Sequence, residues 1–269
     1  MPARITESRR LLAISPHLDD AALSVGGIVA RAVENGADVV VGTVFTADAP
    51  HPAASSPIVE ELNKLWNLGP SPIASRRSED FAAVSALGAR VIHGGLLDAI
   101  YRTDRERNCL YPTRTDVFSG PSHEDDIFPA LNRLFADWIE DFQPDSILCP
   151  LAVGRHVDHV VTSESFRTIA LGRNLNAFLY EDFPYSIGRF PPRFPDSVEA
   201  ALARTKWTVT HPESVSVDVS AKIDAILKYD SQINELFANA QEFQIVLKRY
   251  MASASPEGDF CETVWLTST

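Results

Sequence analysis

Residues 39–45 read Val-Val-Val-Gly-Thr-Val-Phe, an apolar and largely β-branched stretch without alternation, which belongs in a strand covered on both faces. Before it, residues 20–34 carry Leu23, Val25, Ile28, Val29 and Ala32 near helical spacing, and the pair Asn35-Gly36 ends that helix. Before the helix, residues 10–16 form another short apolar run. A helical crossover between two buried strands makes the strands parallel. The pattern then repeats. A helix over 75–87 stopped by Gly88 precedes a strand at 90–93. A helix with apolar positions 127, 131, 134, 135, 138 and 139 is broken by Pro144 before a strand at 146–151. A helix over 156–171 leads to a strand at 177–180, residues 208–219 alternate like a strand, 220–250 read as mostly helix, and a last strand falls near 263–266. The expectation is an α/β fold: a Rossmann-like open, mostly parallel sheet with helices on both faces. Residues 1–269 form a single domain in this reading, with 181–269 completing it.

Proline, alanine and serine dominate 48–72 around an apolar island at 58–68, which reads as a surface excursion carrying a short helix. Residues 96–120 lack a period, Ser122 and Asp125 have the spacing of a helix capping box, and 183–194 with its prolines reads as a loop. Substrate choice is expected to reside in these loops.

Composition narrows the function classes. A chain of 269 residues with 45% hydrophobic residues can bury a large core, and its formal charge of -12 lacks the basic surface that phosphate backbones need. Nucleic acid is therefore not an expected partner. The early apolar stretch 11–14 is too short for a signal peptide, and no run nears the roughly 18 apolar residues of a membrane span. A cytoplasmic protein without a membrane span is expected. Cys109, Cys149 and Cys261 are odd in number and form no C-x-x-C pair, so buried free thiols are expected rather than disulfides or a thiolate metal site.

Two short segments carry the chemistry. Pro16-His17-Leu18-Asp19-Asp20 stands at the carboxyl end of the first strand, where a strand-to-helix turn aims side chains into a crevice. Adjacent carboxylates beside an imidazole, with no Lys or Arg from 11 to 30, would repel if buried, and a bound cation relieves that cost. His17 and Asp20, three apart, suit one ion and leave Asp19 free. The plain alternative is helix N-capping by Asp19 or Asp20. Gly154-Arg155-His156-Val157-Asp158-His159 follows the strand at 146–151, again at a helix start. Two histidines and a carboxylate are a set found in catalytic zinc sites, and one histidine of the second segment completes it. Here the alternative is a structural histidine pair. Gly26 and Gly27 fit close helix packing better than phosphate binding, and no spacing argument brings His93 or His211 to the site.

Together these motifs, with Gly26-Gly27-Ile28-Val29-Ala30-Arg31 after the first, resemble the PIG-L/LmbE family of zinc-dependent N-deacetylases. The resemblance runs from Arg10 to about Arg167 through Arg76, Glu79, Leu87-Gly88, Gly95 and Asp98, and 222–232 is similar to the family's C-terminal helix. The family commonly has Pro where this chain has Leu18 and Val157, often Glu at Ala21, and in some members Tyr at Gly154. The resemblance implies His17, Asp20 and His159 as zinc ligands and Asp19 as general base. It further implies His156 as the acid or the electrophile that stabilises the oxyanion, Asp158 as the residue orienting His156, and Arg76 and Asp98 as sugar contacts. The plain alternatives are a solvated charge at a helix start for Arg76 and a cap for Asp98.

The expected reaction is removal of an acetyl or other acyl group from the amide nitrogen of an N-acetylated amino sugar in a small glycoside or conjugate. Water activated by the zinc attacks, and Asp19 accepts its proton. Either Asp19 or His156 protonates the departing amine. Iron(II), manganese or cobalt also suit such a ligand set. The alternatives are an amidase for a non-sugar acyl amine, with Trp66, Tyr101, Phe183 and Tyr185 lining a larger pocket, and a non-catalytic metal-dependent sugar-binding protein. A dinucleotide-binding module would require G-x-G-x-x-G after the first strand, where this chain has Pro-His-Leu-Asp-Asp. The oligomeric state stays open, homo-oligomers included.

Overall fold

The computed structural model describes residues 4–268 apart from 51–55, 70, 172, 174, 189–194, 256 and 257. In chain order the strands are β1 (Arg10–Ser15), β2 (Asp38–Thr43), β3 (Arg90–His93), β4 (Ser146–Pro150), β5 (Asn176–Tyr180), β6 (Thr208–Ser216) and β7 (Cys261–Ser268). The helices are α1 (Asp20–Glu34), α2 (Pro57–Trp66), α3 (Pro72–Ala86), α4 (Arg114–Val117), α5 (Phe128–Phe142), α6 (Val157–Ala170), α7 (Val198–Arg204), α8 (Val219–Ile226), α9 (Asp230–Leu236) and α10 (Ala240–Ser253). All seven strands join one sheet in the order β3-β2-β1-β4-β5-β7-β6. Strands β1 to β5 run parallel to their neighbours and β7 pairs antiparallel with β5 and β6, as expected of an open, mostly parallel sheet.

The continuous apolar strands are explained by cores on both sides. Leu12, Ile14 and Val40 face a core with Leu131, Phe135 and Phe166 of α5 and α6, while Leu11, Ala13, Val39 and Val41 face another with Ile28, Val84 and Ile223 of α1, α3 and α8. Chain order reverses between β1 and β4, whose neighbours lead away in opposite directions. Such a switch leaves a crevice beyond the carboxyl ends of the two strands, and the two chemical segments begin there.

Helix α1 is broken at Val25, which has φ -132 and ψ 20. The break frees backbone groups, and a buried ion pair takes them up. The Glu262 carboxylate accepts the Gly27 N–H at 2.9 Å and the Ile28 N–H at 2.7 Å, and Lys222 Nζ donates to the Ser24 carbonyl at 3.2 Å and to Glu262 at 2.6 Å. Gly27 lacks a side chain because the chain passes close: a Cβ there would lie 2.5 Å from Val217 Cγ2. That supports the packing reading of this glycine.

Some expectations are corrected. Residues 220–250 are mostly helix as expected, but divided into three rather than forming one long helix, because the segment turns back onto α3: Tyr229 Oη donates to Asp80 at 2.7 Å, and Ser231 donates to Glu79 through N–H and Oγ at 3.0 and 2.6 Å. Asn239 then caps α10 by accepting the Gln241 and Glu242 N–H groups. Ser122 and Asp125 do not cap α5, which starts at Phe128; Asp125 instead accepts Arg102 Nε at 3.1 Å and Tyr111 Oη at 2.7 Å. The excursion at 48–72 carries α2, N-capped by Ser56, and α3 already begins at Pro72. Parts of two expected loops, 51–55 and 70 in the first and 189–194 in the last, lie outside the described residues. None of the three cysteines is in a disulfide, with Cys149 and Cys261 buried and Cys109 only half-buried. Among the described residues no helix is long and apolar enough to cross a membrane.

Candidate active site

The turn after β1 is tied down by Ser15, whose Oγ donates to the His17 carbonyl at 2.6 Å and accepts the Ala21 N–H at 3.0 Å. Asp19 occupies the N-cap position of α1, yet its side chain makes no capping bond, so the capping alternative does not account for it. Its carboxylate lines the cleft, 3.7 Å from Arg76 Nη2. Burial, then the Asp20 charge, pushes the Asp19 pKa up to about 7, with Arg76 and His17 opposing.

Asp20 Oδ2 lies 3.1 Å from His17 Nδ1 and 3.2 Å from His159 Nε2. The opposite nitrogen of each ring meets another buried carboxylate: His17 Nε2 lies 3.0 Å from Asp158 Oδ2, and His159 Nδ1 lies 2.6 Å from Asp182 Oδ1. His159 Nε2 is buried and faces Asp20 Oδ2 without the alignment of a full hydrogen bond, so Asp20 is its only close polar neighbour among the described residues. Two imidazoles backed by carboxylates, with their inner nitrogens on a third carboxylate, form a donor set that would suit a divalent ion, with the outer carboxylates fixing the rings. Donor atoms of His17, His156 and His159 also lie within 4.8 Å of one another, as do those of His17, Asp98 and Asp158. The residues present therefore fit a metal. Burial works against charge on His17 and His159; the hydrogen bonds to Asp158 and Asp20 for His17, and Asp20 and Asp182 for His159, outweigh it and raise both pKa values, that of His159 to about 9.

His156 stands at the N-cap of α6, where Nδ1 accepts the Asp158 N–H at 3.2 Å. That bond puts the proton of the neutral ring on Nε2. Burial, then the nearby His17 charge, holds the His156 pKa well below its ordinary value. The Asp158 side chain makes its contacts elsewhere: with His17, with the Ala99 N–H at 2.9 Å and with Arg102 Nη1 at 2.6 Å. The hydrogen bond from Asp158 to His156 is thus through the backbone, while its carboxylate orients His17. Arg102 and the other partners keep Asp158 ionised against the effect of burial.

Arg76 is buried, not a solvated surface charge, with its guanidinium 4.8 Å from the Trp66 ring centroid. Asp98 both caps, accepting the Ile100 N–H at 3.1 Å, and reaches the site, 3.7 Å from His17 Nε2; burial raises its pKa. Both line a cleft with His17, Asp19, Asp20 and His156, whose free volume is about 80 Å³. Of the aromatic residues expected at a larger pocket, Trp66 and Tyr185 line this cleft. Tyr101 and Phe183 are buried on opposite sides of the sheet. His93 binds Asp80 at 2.9 Å, and His211 is exposed on β6.

Sequence reasoning missed Asp182, Arg102 and Glu235, the last of which lines the cleft and accepts the Trp66 Nε1–H at 2.6 Å. Asp182 stands two residues past β5, so a search for acids just beyond strand carboxyl ends would have found it. Arg102 and Glu235 have no comparable local signal. Gly154 has φ 86 and faces Tyr185, whose Cδ1 would lie 2.6 Å from a Cβ there. Any side chain at 154 would therefore displace Tyr185 from the cleft wall.

The chain resembles known proteins over most of its length. The family model described as PIG-L, GlcNAc-PI de-N-acetylase, matches residues 12–170. The chain is 31% identical over 239 residues to a 2'-N-acetylparomamine deacetylase of Streptomyces fradiae, covering 86% of this chain and 76% of that protein. A deacetylase of the teicoplanin biosynthesis pathway, solved as a complex with bog, superposes with a TM-score of 0.81 at 31% identity over 96% of this chain and 98% of the other. The zinc-inhibited form of teicoplanin deacetylase matches with the same TM-score of 0.81, 31% identity and coverage of 96% and 98%.

Proposed function

This chain belongs to the PIG-L family and is an N-deacetylase, and from that premise we propose that it removes acetyl from an N-acetylated amino sugar of a small glycoside or antibiotic conjugate. The relatives named for N-acetylparomamine and teicoplanin deacetylation support that substrate class. The cleft supports it too: its polar floor of His17, Asp19, Asp20, Arg76 and Asp98 suits an acetamido sugar, and Ile58, Leu62, Phe118 and Leu236 give an apolar wall for what the sugar is attached to.

His17, Asp20 and His159 would hold a divalent metal, zinc or another ion of similar preference such as iron(II), manganese or cobalt. Bound there, it supplies a Lewis acid that polarises the amide carbonyl and eases deprotonation of water. The carrying observation is the pair of rings turned toward Asp20 Oδ2, each fixed from behind by a buried carboxylate. Asp19 is not engaged in capping and takes the proton of the attacking water. With its pKa held near the middle of the range, at about 7, it can also return that proton to the departing nitrogen. Neutral His156 offers its Nε2–H to the oxyanion of the tetrahedral intermediate, and its depressed pKa makes it the lesser source of the proton. Arg76 and Asp98 engage sugar hydroxyls from the polar floor of the cleft.

The test is acetate release from a panel of N-acetylglucosamine and N-acetylated aminoglycoside conjugates, with and without chelator, alongside Asp19→Asn at equal metal content. Release that chelation abolishes and Asp19→Asn lowers by at least about a hundredfold supports the proposal. Unchanged release in Asp19→Asn removes Asp19 as base, and activity confined to non-sugar amides removes the substrate class.

A further inference from the structure

The loop from 151 to 156 serves two clefts. His156 lines the candidate active site, whereas Leu151, Ala152 and Arg155 line a separate cleft of about 340 Å³ between α6, α7 and Trp207 that shares no lining residue with it. In a chain of net charge -12 this second cleft is basic: Arg155, Arg167, Arg204 and Lys206 all line it.

Two of these cations are neutralised. Arg204 Nη1 donates to Asp196 at 3.0 Å, and Lys206 Nζ lies 2.9 Å from Glu164. The other two have no carboxylate partner among the described residues. Arg155 Nη2 donates only to the Ser119 carbonyl, at 3.0 Å, and Arg167 Nε is buried without a hydrogen bond. An enclosed guanidinium nitrogen with no acceptor is costly unless a ligand supplies one. Glu164, the partner of Lys206, is the one carboxylate in the lining, Ser163 and Thr205 add hydroxyls, and Val160, Ala201 and the indole of Trp207 give an apolar face, the indole anchored by its Nε1 donating to Ser163 Oγ at 3.3 Å.

We propose that this cleft binds a small organic oxyanion, with Arg155 and Arg167 holding a phosphate or carboxylate head and Val160, Ala201 and Trp207 packing against an apolar or aromatic body. The planar fork of a guanidinium matches either head through paired N–H donors. The site is independent of the proposed deacetylation, since none of its residues lines the other cleft.

The experiment titrates phenyl phosphate, inorganic phosphate and benzoate into metal-stripped full-length protein at constant ionic strength, by calorimetry and by amide hydrogen exchange. Saturable binding is expected, with phenyl phosphate or benzoate at least tenfold tighter than inorganic phosphate, and slowed exchange at 151–155 and 204–207. The tighter of the two aromatic anions identifies the head. Arg167→Gln should weaken binding at least tenfold, and Lys206→Glu, an exposed rim change that leaves the core untouched, several-fold. Arg76→Gln, in the other cleft, should leave it unchanged. Absence of saturation, equal binding by Arg167→Gln and Lys206→Glu, or loss of binding only in Arg76→Gln would each overturn the assignment. Should Arg167→Gln fail to fold, Lys206→Glu and Arg76→Gln still decide.

Discussion

Replacing Glu262 by Ala is expected to destabilise the protein by about 3–5 kcal/mol, the range for breaking a buried ion pair from one side. The side chains of Lys222 and Glu262 are 0% and 1% exposed, so the abandoned ammonium has no route to water without local opening. Burial lowers the Lys222 pKa and Glu262 opposes that, so removing the carboxylate leaves only the unfavourable influence. The substitution also strands the Gly27 and Ile28 N–H groups freed by the break at Val25. Each would add about 1–3 kcal/mol if it stayed dry. Water entering the vacated space lessens that addition, which keeps the total near the ion-pair range. Lys222→Met should cost less, because the remaining carboxylate keeps both amide donors. Urea unfolding at 25 °C would measure this: with a slope of about 2–3 kcal/mol/M, the Glu262→Ala midpoint should fall by about 1–2 M. A loss under about 1 kcal/mol, or a Lys222→Met protein as unstable as Glu262→Ala, would refute the account of how the broken helix is held.

Asp182→Asn should lower metal affinity about 10–100-fold, measured by equilibrium dialysis, because it weakens the carboxylate behind His159; unchanged affinity would remove Asp182 from the support of the site. The deacetylation rate at saturating metal should have an acid limb controlled by Asp19, whose burial places its pKa at about 7. The base is lost as pH falls through that value, so the rate falls with it; a bound cation near Asp20 moves the limb lower, and a limb above about 7 or one unchanged in Asp19→Asn would contradict the assignment.

Much of the site could be read from short stretches of sequence because its chemistry is local. His17, Asp19 and Asp20 lie within one strand-to-helix turn, and His156, Asp158 and His159 within another. An unalternating strand such as 39–45 announces cover on both faces, which implies parallel neighbours and a crevice at their carboxyl ends. The division of the helix over 220–250 was less legible, since apolar spacing does not reveal that Tyr229 and Ser231 turn back to Asp80 and Glu79 on α3. The capping spacing of Ser122 and Asp125 misled for a related reason: Arg102 and Tyr111 draw the Asp125 carboxylate away.

The sequence alone determined the parallel α/β class and the residue types that meet at the switch between β1 and β4, because periodicity and turn chemistry act over a few residues. Tertiary structure decided the partners: Asp158 meets His17 across 141 positions, Asp182 backs His159, and Glu262 closes the break in α1 from 234 and 235 positions away. A pattern of burial says which side chains turn inward. Which neighbour each one finds depends on the order in which strands assemble into the sheet and on where the intervening helices pack, and those long-range contacts leave no local periodicity to read.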